Sequence, residues 1–215
     1  MTPDLSIYLV TDAGQSAGAG RSLVDTVLAG VAGGATTVQV REKSSARDTL
    51  EAVTALAAAL PSHVTLLVND RVDVFLAARD AGARVHGVHV GQDDLPALQV
   101  RTLIGPEPVL GVTANTAAQL RAISVRAVVD YVGIGTVRTT ASKADAPAAL
   151  GVDGVIALAQ SVALPAVAIG GVTPEDLPAL RRGGLAGAAV VSWICAAPDP
   201  RAAAAELSGA WAVAA

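Results

Sequence analysis

Val64-Thr65-Leu66-Leu67-Val68 is a short run of apolar and β-branched residues, Arg71 to Ala81 follows with a helical pattern, and Gly87-Val88-His89-Val90 repeats the strand signal. A strand, a helical stretch and a second strand at this spacing predict a parallel pair joined by a crossover helix. The unit recurs in both directions. Toward the N-terminus lie Ile7-Tyr8-Leu9-Val10 and Thr37-Val38-Gln39-Val40, with helical stretches from Ser22 to Val31 and from Arg47 to Leu60. Toward the C-terminus come Val109-Leu110-Gly111-Val112, Val129-Asp130-Tyr131-Val132-Gly133, Ala166-Val167-Ala168-Ile169 and Ala188-Ala189-Val190-Val191. Asn115 to Val125 and Pro174 to Arg181 read as further helices, and the Ala-rich tail from Arg201 to Ala215 as a last one.

Eight such units in 215 residues leave about 27 residues each, which is short but sufficient for a (β/α)8 TIM barrel. Several strands are apolar on both sides, as expected when helices cover one face and a packed barrel interior the other. An open doubly wound sheet is the rival, but no GxGxxG follows the first strand and the strand count fits closure. No linker or low-complexity tract divides the chain, so residues 1–215 read as one catalytic domain.

Composition narrows the function. The chain is 52% hydrophobic and 16% charged, which excludes a disordered segment. Its mean hydropathy of +0.52 raises the question of membrane insertion, yet the longest apolar candidate, Leu150 to Val172, is broken by Asp153, Gln160 and Pro165. No membrane span and no secretory leader are expected. A formal charge of −4 argues against a nucleic-acid partner. The single cysteine, Cys195, can form no internal disulfide, and a reducing cytoplasmic location is expected. The oligomeric state is open, a homo-oligomer included.

Barrel chemistry sits at the C-terminal ends of the strands, and unusual polar residues gather there. After the second strand comes Gln39-Val40-Arg41-Glu42-Lys43; alternation sends Gln39, Arg41 and Lys43 to one side. Two cations and an amide on one face suit a multiply charged anion, although a solvated strand end with a surface Arg–Glu pair has the same pattern. Asn69-Asp70 ends the third strand, and Gly91-Gln92-Asp93-Asp94 follows the fourth. Asp70 and Asp94 could cap the helices that follow them, or could together hold Mg²⁺ against diphosphate oxygens. His86 and His89 lack the spacing and the third ligand of a zinc site; His89 fits a wall or helper role and His86 none.

After the sixth strand, Gly133-Ile134-Gly135-Thr136-Val137-Arg138-Thr139-Thr140-Ala141-Ser142-Lys143 is dense in hydroxyls and ends in one Lys. Such a loop can close over an anion or simply be a surface loop. Ile169-Gly170-Gly171-Val172-Thr173 and Val190-Val191-Ser192 occupy the seventh and eighth positions, where barrels commonly bind phosphate through backbone N–H groups. The glycines could also serve packing alone. Two anion sites are thus expected, with no Ser–His–Asp arrangement and no reactive cysteine.

Taken in order, Gln39-x-Arg41-x-Lys43, Asn69-Asp70, His89-x-Gly91-Gln92-x-Asp94, Thr140-x-Ser142-Lys143 and Ile169-Gly170-Gly171 resemble the thiamine phosphate synthase family, from Tyr8 to Ser192. The resemblance implies a TIM barrel that joins 4-amino-2-methyl-5-hydroxymethylpyrimidine diphosphate to 4-methyl-5-(2-hydroxyethyl)thiazole phosphate, releasing diphosphate. It implies that Gln39, Arg41, Lys43, Asn69 and Lys143 contact the pyrimidine diphosphate and that Asp70 and Asp94 hold Mg²⁺. It implies that Thr140, Ser142, Gly171, Val191 and Ser192 receive the thiazole phosphate. Thr113 stands where the family has Ser and keeps the hydroxyl. Arg41, Lys43, Lys143 and Thr113 are the expected catalytic residues, and His89 is counted with the substrate-binding ones. Arg138-Thr139 departs from the aromatic residue and Pro that the family often carries before its hydroxyl–Lys loop. The stretch around Ala78 to Val85 is longer than usual and is expected to lengthen a helix or an outer loop.

These residues suit a reaction in which diphosphate leaves first and the thiazole nitrogen captures the resulting methylene cation, which needs charge stabilisation and positioning and no nucleophilic side chain. A thiazole tautomerase-like isomerase is one alternative, though it would not need the carboxylates and cations of the strand-two side. A phosphate-binding barrel without catalysis is the other.

Overall fold

The computed structural model describes residues 3–42, 44–124, 128–139 and 148–213. Among the described residues eight strands are observed: β1 (Ile7–Val10), β2 (Thr37–Val40), β3 (Thr65–Asn69), β4 (Gly87–Val90), β5 (Val109–Thr113), β6 (Tyr131–Gly135), β7 (Ala166–Ile169) and β8 (Gly187–Val190). The helices are α1 (Ala13–Gly18), α2 (Leu23–Ala32), α3 (Ala46–Ala59), α4 (Val72–Asp80), α5 (Ala97–Ile104), α6 (Ala117–Ser124), α7 (Gly151–Gln160), α8 (Leu177–Arg182), α9 (Ser192–Cys195) and α10 (Pro200–Ala212). Each strand pairs in parallel with its sequence neighbour, and β1 pairs with β8 through Leu9 and Val190, closing the ring. The fold is a (β/α)8 barrel. No described helix is long and apolar enough to cross a membrane.

Strand residues such as Val38, Leu66, Val88, Leu110 and Val132 point outward and are fully buried under the helices. Their neighbours along the chain point inward, where Tyr8, Val10, Leu67, Tyr131, Val167 and Ala189 form a second, smaller apolar cluster. This two-sided burial explains why the strands read as apolar runs without clean alternation. Both of the chain's tyrosines lie inside the barrel, each 1% exposed. Gly111 makes room for one of them: a Cβ there would stand 2.2 Å from Tyr131 Cζ.

Local chemistry sets the element ends. Ser22 caps α2, and Ser45 forms a reciprocal capping box with Asp48 at α3. The expected strand at Val129-Asp130 begins two residues later. Asp130 N–H donates to Leu110 O at 2.8 Å, while its carboxylate accepts from Leu110 N–H at 2.7 Å and from Arg101, so backbone and side chain together close the entrance to β6. The expected helix at Pro174 opens with a 3-10 turn, Pro174–Asp176, before α8; Pro178 near its start has no N–H to lose. The stretch from Ala81 to His86 joins α4 to β4 at the N-terminal rim, where His86 Nδ1 accepts from Leu66 N–H. That rim is opposite the strand ends discussed next.

Candidate active site

A cavity of about 390 Å³ opens at the C-terminal ends of the strands. Its floor is a buried chain of polar groups. Gln39 Nε2 donates to Tyr8 Oη at 2.6 Å, Tyr8 Oη lies 2.8 Å from Tyr131 Oη, and Tyr131 Oη lies 2.8 Å from His89 Nδ1. His89 Nε2 in turn lies 2.9 Å from Thr113 Oγ1. Burial pushes both phenols well above their ordinary range and pushes His89 down to about 4. At neutral pH the tyrosines are therefore protonated and the imidazole uncharged.

One wall carries the charged groups. Thr11 Oγ1 accepts from Arg41 N–H at 2.9 Å, so β1 holds the backbone from which Arg41 faces the cavity. Asp70 and Asp94 stand beside it and share a side-chain hydrogen bond. Burial of its inner side, followed by the charge of Asp94, raises the Asp70 pKa to about 6, against the lowering effects of Asn69 and Arg41. The outer edge of Asp70 is open to solvent. Neither carboxylate caps a helix: the N-cap of α4 is Arg71 and that of α5 is Pro96, both without a side-chain cap bond. Asp94 Oδ2 instead accepts from Gly91 N–H at 2.8 Å within its own loop. Asp70 sits at φ 59°, a left-handed conformation that Asp and Asn tolerate better than most residues. Among the described residues no group of three His, Cys, Asp or Glu could hold a metal. Two facing carboxylates do fit a hard cation that keeps water and substrate phosphate oxygens as its other ligands.

The opposite wall is backbone. Gly170 and Gly171 have φ of 89° and 68°, and a Cβ on Gly171 would lie 2.8 Å from Arg138 Cβ. The N–H groups of Gly171 and Ser192 donate to no group among the described residues. Trp193 also lines this wall, with its Nε1 buried and unpartnered among the described residues.

Of the residues singled out from sequence, Gln39, Arg41, Asn69, Asp70, His89 and Asp94 all line this one cavity, as do Thr113, Gly171, Val191 and Ser192. Lys43, Thr140, Ser142 and Lys143 lie outside the described residues. Sequence reading missed Tyr8, Tyr131, Asn115 and Trp193, which also line it. The signal available for the tyrosines was their singularity, two aromatic hydroxyls inside strands of an aromatic-poor chain. Arg138 was noted only as a departure; its guanidinium binds Asp176 and donates to Gly171 O at 3.1 Å. The sole cysteine is no part of the wall: Cys195 is buried and its thiol is pushed up to about 11, mainly by burial.

Known proteins share this sequence and shape. Residues 7–194 match the family model described as thiamine monophosphate synthase. The chain is 45% identical to the thiamine-phosphate synthase of Corynebacterium efficiens over 201 residues, 93% of this chain and 91% of that one. It is 46% identical to the thiamine-phosphate synthase of Chloroflexus aurantiacus over 207 residues, covering 95% and 91%. The solved structure of a thiamine phosphate pyrophosphorylase from Pyrococcus furiosus superposes with a TM-score of 0.86 at 28% identity, over 99% of this chain and 98% of that one. A 3-hexulose-6-phosphate synthase, at 16% identity and a TM-score of 0.68, shares the fold alone.

Proposed function

The chain belongs to the thiamine monophosphate synthase family and is a transferase of thiamine biosynthesis, and from that premise we propose that it condenses 4-amino-2-methyl-5-hydroxymethylpyrimidine diphosphate with 4-methyl-5-(2-hydroxyethyl)thiazole phosphate. The observation that carries the reading is the two-sided cavity, with Arg41, Asp70 and Asp94 on one wall and the open N–H groups of Gly171 and Ser192 on the other. Two anionic substrates can meet there with their reactive ends between the walls.

On this reading Arg41 holds the diphosphate, joined by Lys43 and Lys143, and Gln39 and Asn69 orient the pyrimidine. The C–O bond between the pyrimidine methylene and diphosphate breaks, and its electron pair leaves with the diphosphate. The lone pair of the thiazole nitrogen then forms the new C–N bond. Asp70 and Asp94 would hold Mg²⁺, which when bound offsets negative charge on the leaving group. The protein supplies charge stabilisation and orientation, while Val167, Ile169 and Ala189 along the cavity wall keep water from the cation. Gly171, Val191 and Ser192, with Thr140 and Ser142, receive the thiazole phosphate. The cytoplasm is the proposed location.

The test is product formation from the two purified substrates, with and without Mg²⁺. Thiamine phosphate and diphosphate released in equal amounts support the reading. No product under either condition sinks it.

A further inference from the structure

The floor of the cavity contains more polar machinery than holding substrates requires. Gln39, Tyr8, Tyr131, His89 and Thr113 come from five strands and are linked end to end by contacts of 2.6 to 2.9 Å. Polar groups buried this deeply are costly unless every donor meets an acceptor. With the Gln39 amide donating to Tyr8 Oη, only one direction satisfies the chain. The Tyr8 hydroxyl donates to Tyr131, the Tyr131 hydroxyl donates to His89 Nδ1, and the His89 proton resides on Nε2 and is given to Thr113 Oγ1. Thr113 Oγ1 then accepts from behind and has no second partner among the described residues. Its own proton is directed at whatever occupies the cavity. The space before it is kept clear by Gly133, where a Cβ would stand 3.2 Å from His89 Cε1 and 3.8 Å from Thr113 Oγ1.

We propose that Tyr8, Tyr131 and His89 form a tautomer-setting relay that makes the Thr113 hydroxyl an obligate hydrogen-bond donor to an anionic oxygen of the bound diphosphate ester. Tyr8, Tyr131 and His89 are positioning residues, and Thr113 is the group that touches substrate. A reversed relay would place the proton on Nδ1, turn the Thr113 hydroxyl toward Nε2 and present the ligand with a lone pair, which repels an anion. Uncharged His89 fits the relay, since an imidazolium would donate from both nitrogens. The proposal rests on the synthase reading for the identity of the ligand and on the structure alone for the tautomer.

The experiment has two arms. In the first, two-bond 1H–15N spectra of the intact ligand-free protein at pH 7 read which ring nitrogen of His89 carries the proton, assigned by its loss in His89→Asn. A proton on Nε2 is expected; a proton on Nδ1, or a doubly protonated ring, overturns the relay whatever the enzyme does. In the second, Tyr131→Phe keeps the ring that fills the barrel and removes only the hydroxyl. Its kcat should fall about tenfold, the scale of one lost positioning hydrogen bond, with KM for the thiazole phosphate unchanged and a mixed tautomer signature. Thr113→Val should lose activity and Thr113→Ser regain it. The further loss from Tyr131→Phe should vanish in a Thr113→Val background, because the relay acts only through that hydroxyl. Equal losses in both backgrounds overturn the relay. A wild-type protein that forms no product overturns the synthase reading instead, and the spectra still decide the tautomer.

Discussion

Arg138 reaches from the loop after β6 to Asp176 beyond β7, with Nη2 2.6 Å from Oδ1 and Nη1 on Oδ2, so two loops that border the cavity are tied by one forked ion pair. Asp176 is 5% exposed and also accepts from Thr173 N–H at 2.9 Å. Burial alone would raise its pKa, but the Arg138 and Thr173 hydrogen bonds outweigh that and hold it below the usual carboxylate value.

Arg138→Met should therefore loosen the Gly170–Gly171 turn. We expect KM for the thiazole phosphate to rise about tenfold with KM for the pyrimidine diphosphate little changed, measured by steady-state kinetics with each substrate varied in turn. Stability should drop by about 1 kcal/mol, since Arg138 is half exposed. The sign with pH is fixed. Asp176 is depressed in the folded state, so the wild-type advantage is full above the unfolded pKa of 3.8 and disappears as pH falls through the folded value. Melting curves of both proteins between pH 7 and pH 3 check this.

Asp70→Asn is the discriminating change at the carboxylate pair. Asn keeps the left-handed backbone that Ala would strain, and an amide is a poorer ligand for a hard cation. Activity should fall by roughly 10–1000-fold, using the scale for losing one charge-stabilising group, and should recover in part at high Mg²⁺. In metal-free buffer the folded protein keeps a proton on Asp70 between the ordinary 3.8 and about 6, so wild-type stability declines as pH rises through that window. Asp70→Asn lacks that decline and should melt higher than wild type at pH 7, with little difference at pH 4. Unchanged rates and an unchanged Mg²⁺ dependence in Asp70→Asn and Asp94→Asn would remove the metal from the mechanism.

Arg41→Ala should slow turnover or weaken pyrimidine diphosphate binding by roughly 10–1000-fold. Arg41→Lys should restore only part of that, because a point charge does not replace a planar fork on a phosphate. Inhibition by inorganic diphosphate gives an independent readout, and an inhibition constant unmoved by Arg41→Ala would place the diphosphate elsewhere.

Gly111→Ala tests the barrel interior. The added methyl meets the Tyr131 ring at 2.2 Å, and ring and strand cannot both stay in place. We expect a loss of about 3 kcal/mol, read as a lower melting temperature. The double variant Gly111→Ala/Tyr131→Leu should recover part of it.

The alternation of strands and helices was legible because parallel strands buried on both faces leave long apolar runs between amphipathic stretches. The strand-end residues were legible because barrel chemistry occupies those positions whatever the reaction. Asp70 and Asp94 were ambiguous for a local reason: an Asp before a helix looks the same whether it caps or faces a cavity, and only the caps at Arg71 and Pro96 separate the two. Tyr8 and Tyr131 stood out only as rare aromatic hydroxyls within strands, and the contact between them was not legible because it spans 123 residues of sequence. Arg138 could be read only as a missing aromatic, since its partner Asp176 lies in the next unit of the barrel.

The pairing of Leu9 with Val190 has a consequence for biosynthesis. A ribosome makes the chain from the β1 end, so the first strand waits with one edge unpaired until the eighth has left the exit tunnel. Until then Tyr8 has no closed interior to occupy, and the cavity that depends on it does not exist. Truncated nascent chains ending before β8 should accordingly be open, sticky and without substrate affinity, which makes the last strand of the ring the point at which this protein starts to be an enzyme.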